Sequence, residues 1–264
     1  MNEAEVLCDV DTRGVATVTL NRPAVNNAYD EALLAALLAT VGQLAIENAV
    51  RLLVVRGNGP HFQAGADLTW LREVAARDTA ANLAASRLTA EAMRALNQLP
   101  KPTIALVHGA CVGGGTGLAS SCDVVIAEQG ASFAISEARW GMAATIIFPQ
   151  LVAAIGIRNV RRYALTCERF DAETARAIGL VHAVCEPGGL DAAAATVIDD
   201  LLAVAPDAIA LSKRSAMQVA GALVNDAVFE RLVAEHAAKR QSVEAAEGLA
   251  SFAEKRPAAW NPVR

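Results

Sequence analysis

The chain has 264 residues, 54% of them hydrophobic and 19% charged, with a formal net charge of −5. Such apolar content excludes a disordered chain, and an acidic balance without a basic stripe argues against nucleic acid as the main partner. The five cysteines (Cys8, Cys111, Cys122, Cys167, Cys185) show no CxxC or Cys/His ligand spacing, so reduced thiols, a reducing compartment and no bound metal are expected.

The first residues, MNEAEVLCDVD, are acidic and lack the apolar run of a secretory signal. Residues 32–46 are the most apolar stretch, too short and too polar at Thr40, Gly42 and Gln43 to span a bilayer. A cytoplasmic, soluble protein with no membrane partner is expected. Residues 14–20 (GVATVTL) read as a strand. Asp30 caps a helix whose stripe is Leu33, Leu37, Val41 and Leu44. Residues 51–56 (RLLVVR) form a buried strand. Residues 79–99 are helical and end before Pro100 and Pro102. Strands follow at residues 103–107 and 123–127, with a short helix between them that opens at Gly113–Gly115. From residue 157 the pattern is mostly helical. No internal repeat is visible. Strands alternating with helices, then a helix-rich last third, define an α/β fold.

Two glycine-bracketed turns follow strands: HFQAGADL (residues 61–68) and CVGGGTGL (residues 111–118). Small residues there let a backbone approach a ligand closely. The free N–H groups at the second turn's helix start favour negative charge. Neither turn is a phosphate loop, since GK[ST] and GxGxxG are both missing. Taken singly, each turn reads first as a plain tight turn without chemistry.

Five segments in order carry a resemblance: LNRPAVNNA (20–28), HFQAGADL (61–68), KPTIALVHGACVGGGTGLASSCDVVIA (101–127), FAISEARWGM (133–142) and EGLASFAEKRPAAW (247–260). Together they resemble the crotonase superfamily, the enoyl-CoA hydratases and isomerases, over nearly the whole chain. The resemblance implies a spiral of ββα units over residues 1–200 and a helical C-terminal trimerisation region over residues 201–264. It also implies a homotrimer or dimer of trimers. The expected ligand is an acyl-CoA, with no resident cofactor because coenzyme A arrives with the substrate. Carried over by position, Ala66 and Gly114 supply two oxyanion-binding N–H groups. Ala64 matches the position that meets the adenine. Asp67 belongs to the CoA-side turn and fixes its loop. Lys255 matches a lysine that reaches CoA from the same or a neighbouring subunit.

The family's hydratases carry two glutamates. At the first of these positions the chain has Gly117; at the second it has Glu137. One carboxylate suits an isomerase, which needs a single group to carry a proton from C2 to C4. Hydration needs a proton at Cα and activated water at Cβ. A second resemblance, from GGGxGL through residues 133–156 and 161–182, points to hydratases of branched glutaconyl-CoA thioesters, the 3-methylglutaconyl-CoA and isohexenylglutaconyl-CoA types. These are similar in having glycine at the first glutamate position. Arg139 is then a candidate partner for the substrate's distal carboxylate, and Tyr29, Trp70, Trp140 and Phe148 are candidates to line the acyl pocket. The leading expectation is a hydratase of a branched, carboxylated enoyl-CoA. A Δ3,Δ2-enoyl-CoA isomerase is the alternative, and a non-catalytic CoA-binding subunit is an alternative of another class. His108, the cysteines, and Ser120 and Ser121 outside any GxSxG elbow are read as structural.

Overall fold

The computed structural model describes residues 4–261. In chain order its elements are β1 (Val6–Val10), β2 (Val15–Leu20), α1 (Glu31–Ile46), β3 (Leu52–Gly57), α2 (Leu68–Ala75), α3 (Thr79–Asn97) and β4 (Thr103–Val107). Then come β5 (Ala110–Val112), α4 (Gly114–Ser120), β6 (Val124–Glu128), β7 (Ser132–Ala134), α5 (Phe148–Thr166), β8 (Phe170–Asp171), α6 (Ala172–Ala177) and β9 (Ala183–Cys185). Four helices follow: α7 (Leu190–Leu202), α8 (Pro206–Val219), α9 (Asp226–Arg240) and α10 (Val243–Ala253).

The larger sheet runs β1-β2-β3-β4-β6-β9 and the smaller β5-β7-β8. Only β1 joins the larger sheet antiparallel. The chain steps from a strand of the large sheet to one of the small sheet, then into helix: β4, β5, α4, and again β6, β7, α5. The bridge between Gln63 and Cys111 gives β3 a matching step before α2. This is the expected spiral of ββα units. Its repeat is geometric: each turn buries its own set of apolar residues, so no sequence period betrays it.

Parallel strands covered on both faces must be apolar throughout. All five residues of β4, TIALV, are buried. The two faces alternate residue by residue. Leu53 and Val55 face the main core with Leu33, Leu37 and Val41 of α1. Leu52, Val54, Ile104 and Leu106 face the other way, against Leu190 and Ala194 of α7. Thus α7 packs on the sheet. Of the later helices, α9 packs on α3, and α10 packs over the short 3-10 helix Glu137–Trp140. α8 has no buried residue.

The Asp30 cap stands as expected, its carboxylate accepting from the Leu33 N–H at 3.0 Å. Expectation and structure part at α5. The helix begins at Phe148 and breaks at Gly156 (φ 71°), so a helix read as starting at residue 157 is the second half of a kinked one. β5 and β7 went unread because three residues carry too little alternation.

Candidate active site

A cavity of about 580 Å³ opens between the two glycine turns, the Glu137–Trp140 helix, α9 and α10. Backbone pairing fixes its rim. Gln63 N–H donates to Ala110 O at 3.0 Å, and Val112 N–H donates to Gln63 O at 3.0 Å, locking the two turns side by side. The Gln63 side chain ties off Gly65 twice, donating to its carbonyl (2.8 Å) and accepting from its N–H (2.9 Å). Gly65 sits at φ 92°, where a side chain would be strained.

Next to it, Tyr29 N–H donates to Gly65 O and Asp67 N–H donates to Tyr29 O. In such a parallel bridge the N–H of the middle residue, Ala66, points away from that strand. It meets no acceptor among the described residues. The N–H of Gly114, first residue of α4, likewise meets none. Main-chain donors are usually paired; the Ala66 N–H and the first-turn N–H groups of Gly114 and Gly115 stand free among the described residues on adjoining turns and are available to an external acceptor. Ala64, Ala66 and Gly113 line the cavity, while Gly114 lies behind, its Cα against the Tyr29 ring.

Glu137 lines the cavity beside the second glycine turn. The residue is half-buried, and its carboxylate Oε2 is buried with no partner among the described residues. A Cβ on Gly113 would lie 3.0 Å from Oε1, so the carboxyl rests against the glycine turn. Burial raises its pKa to about 7, against the lowering effect of its own and Ser136's backbone N–H groups. A carboxyl poised near neutrality can both give and take a proton.

The position three residues beyond Gly114 is sealed. A Cβ on Gly117 would lie 2.3 Å from Ile147 Cγ2 and 2.8 Å from Ile147 Cβ. No second carboxylate has room there.

The other expected residues divide. Trp140 lines the cavity and packs edge-on against Phe252 of α10, 5.0 Å between centroids. Tyr29 also lines it; Trp70 and Phe148 do not. Asp67 lines the rim, but its carboxylate caps α2 through Thr69 N–H (2.9 Å) and Trp70 N–H (3.3 Å) and faces Arg22 at 3.5 Å. Arg139 is exposed at the mouth and reaches Cys167 O at 3.4 Å. Lys255 is exposed, three residues past Phe252, and is not among the cavity-lining residues of its own chain. His108 bonds Gly59 O at 2.8 Å, a turn contact.

Two functional candidates escaped the sequence reading. His236 of α9 lines the cavity, and one turn on, Arg240 is buried behind it. His236 Nδ1 meets Ser86 Oγ at 2.9 Å. Burial, then the charge of Arg240, lowers the His236 pKa to about 3, so the ring is neutral. The i, i+4 spacing of His236 and Arg240, which puts both on one helix face, was the available signal.

Residues 11–262 match the enoyl-CoA hydratase/isomerase family, and the chain belongs to it. A solved enoyl-CoA hydratase from Shewanella pealeana superposes with a TM-score of 0.80 at 36% identity, covering 97% of this chain and 96% of that one. The trans-2-decenoyl-[acyl-carrier-protein] isomerase of Streptococcus mutans is 34% identical, over 72% of this chain and 73% of its own. The 2,3-dehydroadipyl-CoA hydratase of Escherichia coli is 36% identical, over 64% and 65%. The protein is therefore an enzyme of the hydratase or isomerase kind, with acyl-CoA as its substrate class.

Proposed function

We propose that this protein hydrates a branched, carboxylated α,β-unsaturated acyl-CoA of the 3-methylglutaconyl type. The observation that carries the chemistry is the Glu137 carboxyl, its Oε2 buried without a partner, set against the glycine turn whose neighbours Gly114 and Ala66 hold acceptor-free N–H groups. In this reading the two amides hold the thioester oxygen as negative charge develops on it, where losing one such donor costs roughly 10²–10³ in rate. Glu137 passes its proton to Cα and takes one back from the water that adds at Cβ. Ala64 and the Asp67 turn border coenzyme A, which arrives with the substrate, so no resident cofactor is needed. Lys255 contributes to CoA from its own or a neighbouring copy. Trp140 packs beside the acyl chain.

The same single carboxylate favours a second reading, a Δ3,Δ2-enoyl-CoA isomerase, since Ile147 fills the place of a second one. The Streptococcus relative's name adds weight to it. The test is direct. With 3-methylglutaconyl-CoA, hydration removes the enoyl-thioester absorbance with uptake of water. With a 3-enoyl-CoA, isomerisation moves the double bond without it. A protein that bound CoA tightly and did neither would be the non-catalytic subunit instead.

A trimer or dimer of trimers is part of this proposal. α8 exposes Leu211 (54%) and Val219 (91%) and has no fully buried residue, as suits a helix covered by another copy. The five free cysteines suit a cytoplasmic setting.

A further inference from the structure

Arg240 poses a physical problem that the proposed reaction does not use. Its side chain is only 2% exposed. Nη2 donates to Ser86 Oγ and to Asn82 O, the latter at 3.3 Å, yet Nε and Nη1 are buried with no partner. No carboxylate pairs with it among the described residues. Leaving a buried cation unpaired costs several kcal/mol, and burial draws this guanidinium down only to about 10, so it keeps its charge at neutral pH. A fold retains such a group where something anionic comes to meet it.

The surroundings say from which side. The groups on which the Arg240 charge acts are Tyr29 and His236, and both line the cavity. The Tyr29 hydroxyl has no hydrogen-bond partner among the described residues, and neither has His236 Nε2. Ser86 Oγ joins His236 Nδ1 and Arg240 Nη2, and the Tyr29 ring stands against Gly114, so the cation is tied by contacts to the residues that line the cavity. Asn82 Oδ1, beside Arg240, is orphaned too. One side of the cavity thus offers a phenol and a neutral imidazole, with a guanidinium behind them, all short of acceptors.

We propose that Tyr29, His236 and Arg240 form the seat of a carboxylate at the far end of the acyl group. Tyr29 and His236 donate to it, the imidazole through Nε2–H, and Arg240 supplies the balancing charge from behind. The seat rests on reading the cavity as the acyl pocket, and it moves carboxylate recognition from Arg139, at the mouth, to α9. A dicarboxylic monothioester is the ligand class, because the seat offers donors and a positive charge to an anion on the acyl group.

Binding of saturated analogues tests the seat without turnover. Calorimetry with glutaryl-CoA and pentanoyl-CoA should give the wild type at least a tenfold preference for glutaryl-CoA. That ratio should fall towards one in Arg240→Gln and fall severalfold in Tyr29→Phe, a variant that keeps the ring's packing. Equal affinities in the wild type, or a ratio unchanged in folded Arg240→Gln and Tyr29→Phe, would overturn the seat. Loss of hydration and isomerisation with the preference intact would instead overturn the proposed reaction and leave the seat standing.

Discussion

Ile147 occupies the space into which a side chain at position 117 would have to grow: a Cβ there would stand 2.3 Å from Ile147 Cγ2. The glycine and the isoleucine are one feature, contributed by α4 and by the 3-10 turn Thr145–Ile147 that precedes α5. Installing the carboxylate that related hydratases carry must therefore fail. Gly117→Glu should lower stability by more than the roughly 1–3 kcal/mol typical of overpacking, with no gain in hydration. Ile147→Ala in the same chain should recover part of the loss. Thermal melts and hydration rates of the three variants check this; a more active, equally stable Gly117→Glu would sink it.

Glu137→Gln should lower turnover about 10²–10⁴-fold if the carboxyl carries the proton. Near-normal turnover on 3-methylglutaconyl-CoA would remove Glu137 from the mechanism.

The same variant should be more stable than the wild type at high pH. Burial raises the Glu137 pKa in the folded state from 4.5 to about 7. The stabilising contribution of its neutral form is present below pH 4.5 and lost as pH rises through 7, by at most about 3 kcal/mol. The difference in Tm, Glu137→Gln minus wild type, should therefore grow between pH 5 and pH 8. A constant difference would mean that the carboxyl is solvated in solution.

The pH profile of turnover separates the two reactions. Proton delivery to Cα uses the neutral acid, so hydration should fall as pH rises past about 7. Proton removal from C2 uses the carboxylate, so isomerisation should rise through the same range and level off. Initial rates from pH 5 to 9 decide the matter.

Asp67→Ala should cost about 0.5–2 kcal/mol, the loss of an N-cap on α2. Asp67→Ser should restore most of it, since a hydroxyl can accept from the same N–H groups. Were Asp67 chiefly a CoA contact, KM would rise in both variants while Tm held.

Much of the architecture was legible because its causes are local. The Asp30 cap, the buried run of β4 and the two glycine turns each announce themselves within a few residues. The spiral repeat was not legible, because its turns share geometry and not residue types. Glu137 was locatable by resemblance alone. In isolation its sequence neighbourhood is that of any short-helix glutamate, and only packing against Gly113 buries its carboxyl.

The chain's residues by themselves determined which strands are covered on both faces, where helices begin and where backbone must come close. Hydrophobic alternation, capping and φ preferences act between near neighbours. Folding in three dimensions decided the rest: Ile147 closes the place beside Gly117, and α9 carries an unpaired Arg240 behind Tyr29, a residue far earlier in the chain. Those relations depend on how distant segments pack and on the low polarity that packing creates, and no local pattern records either.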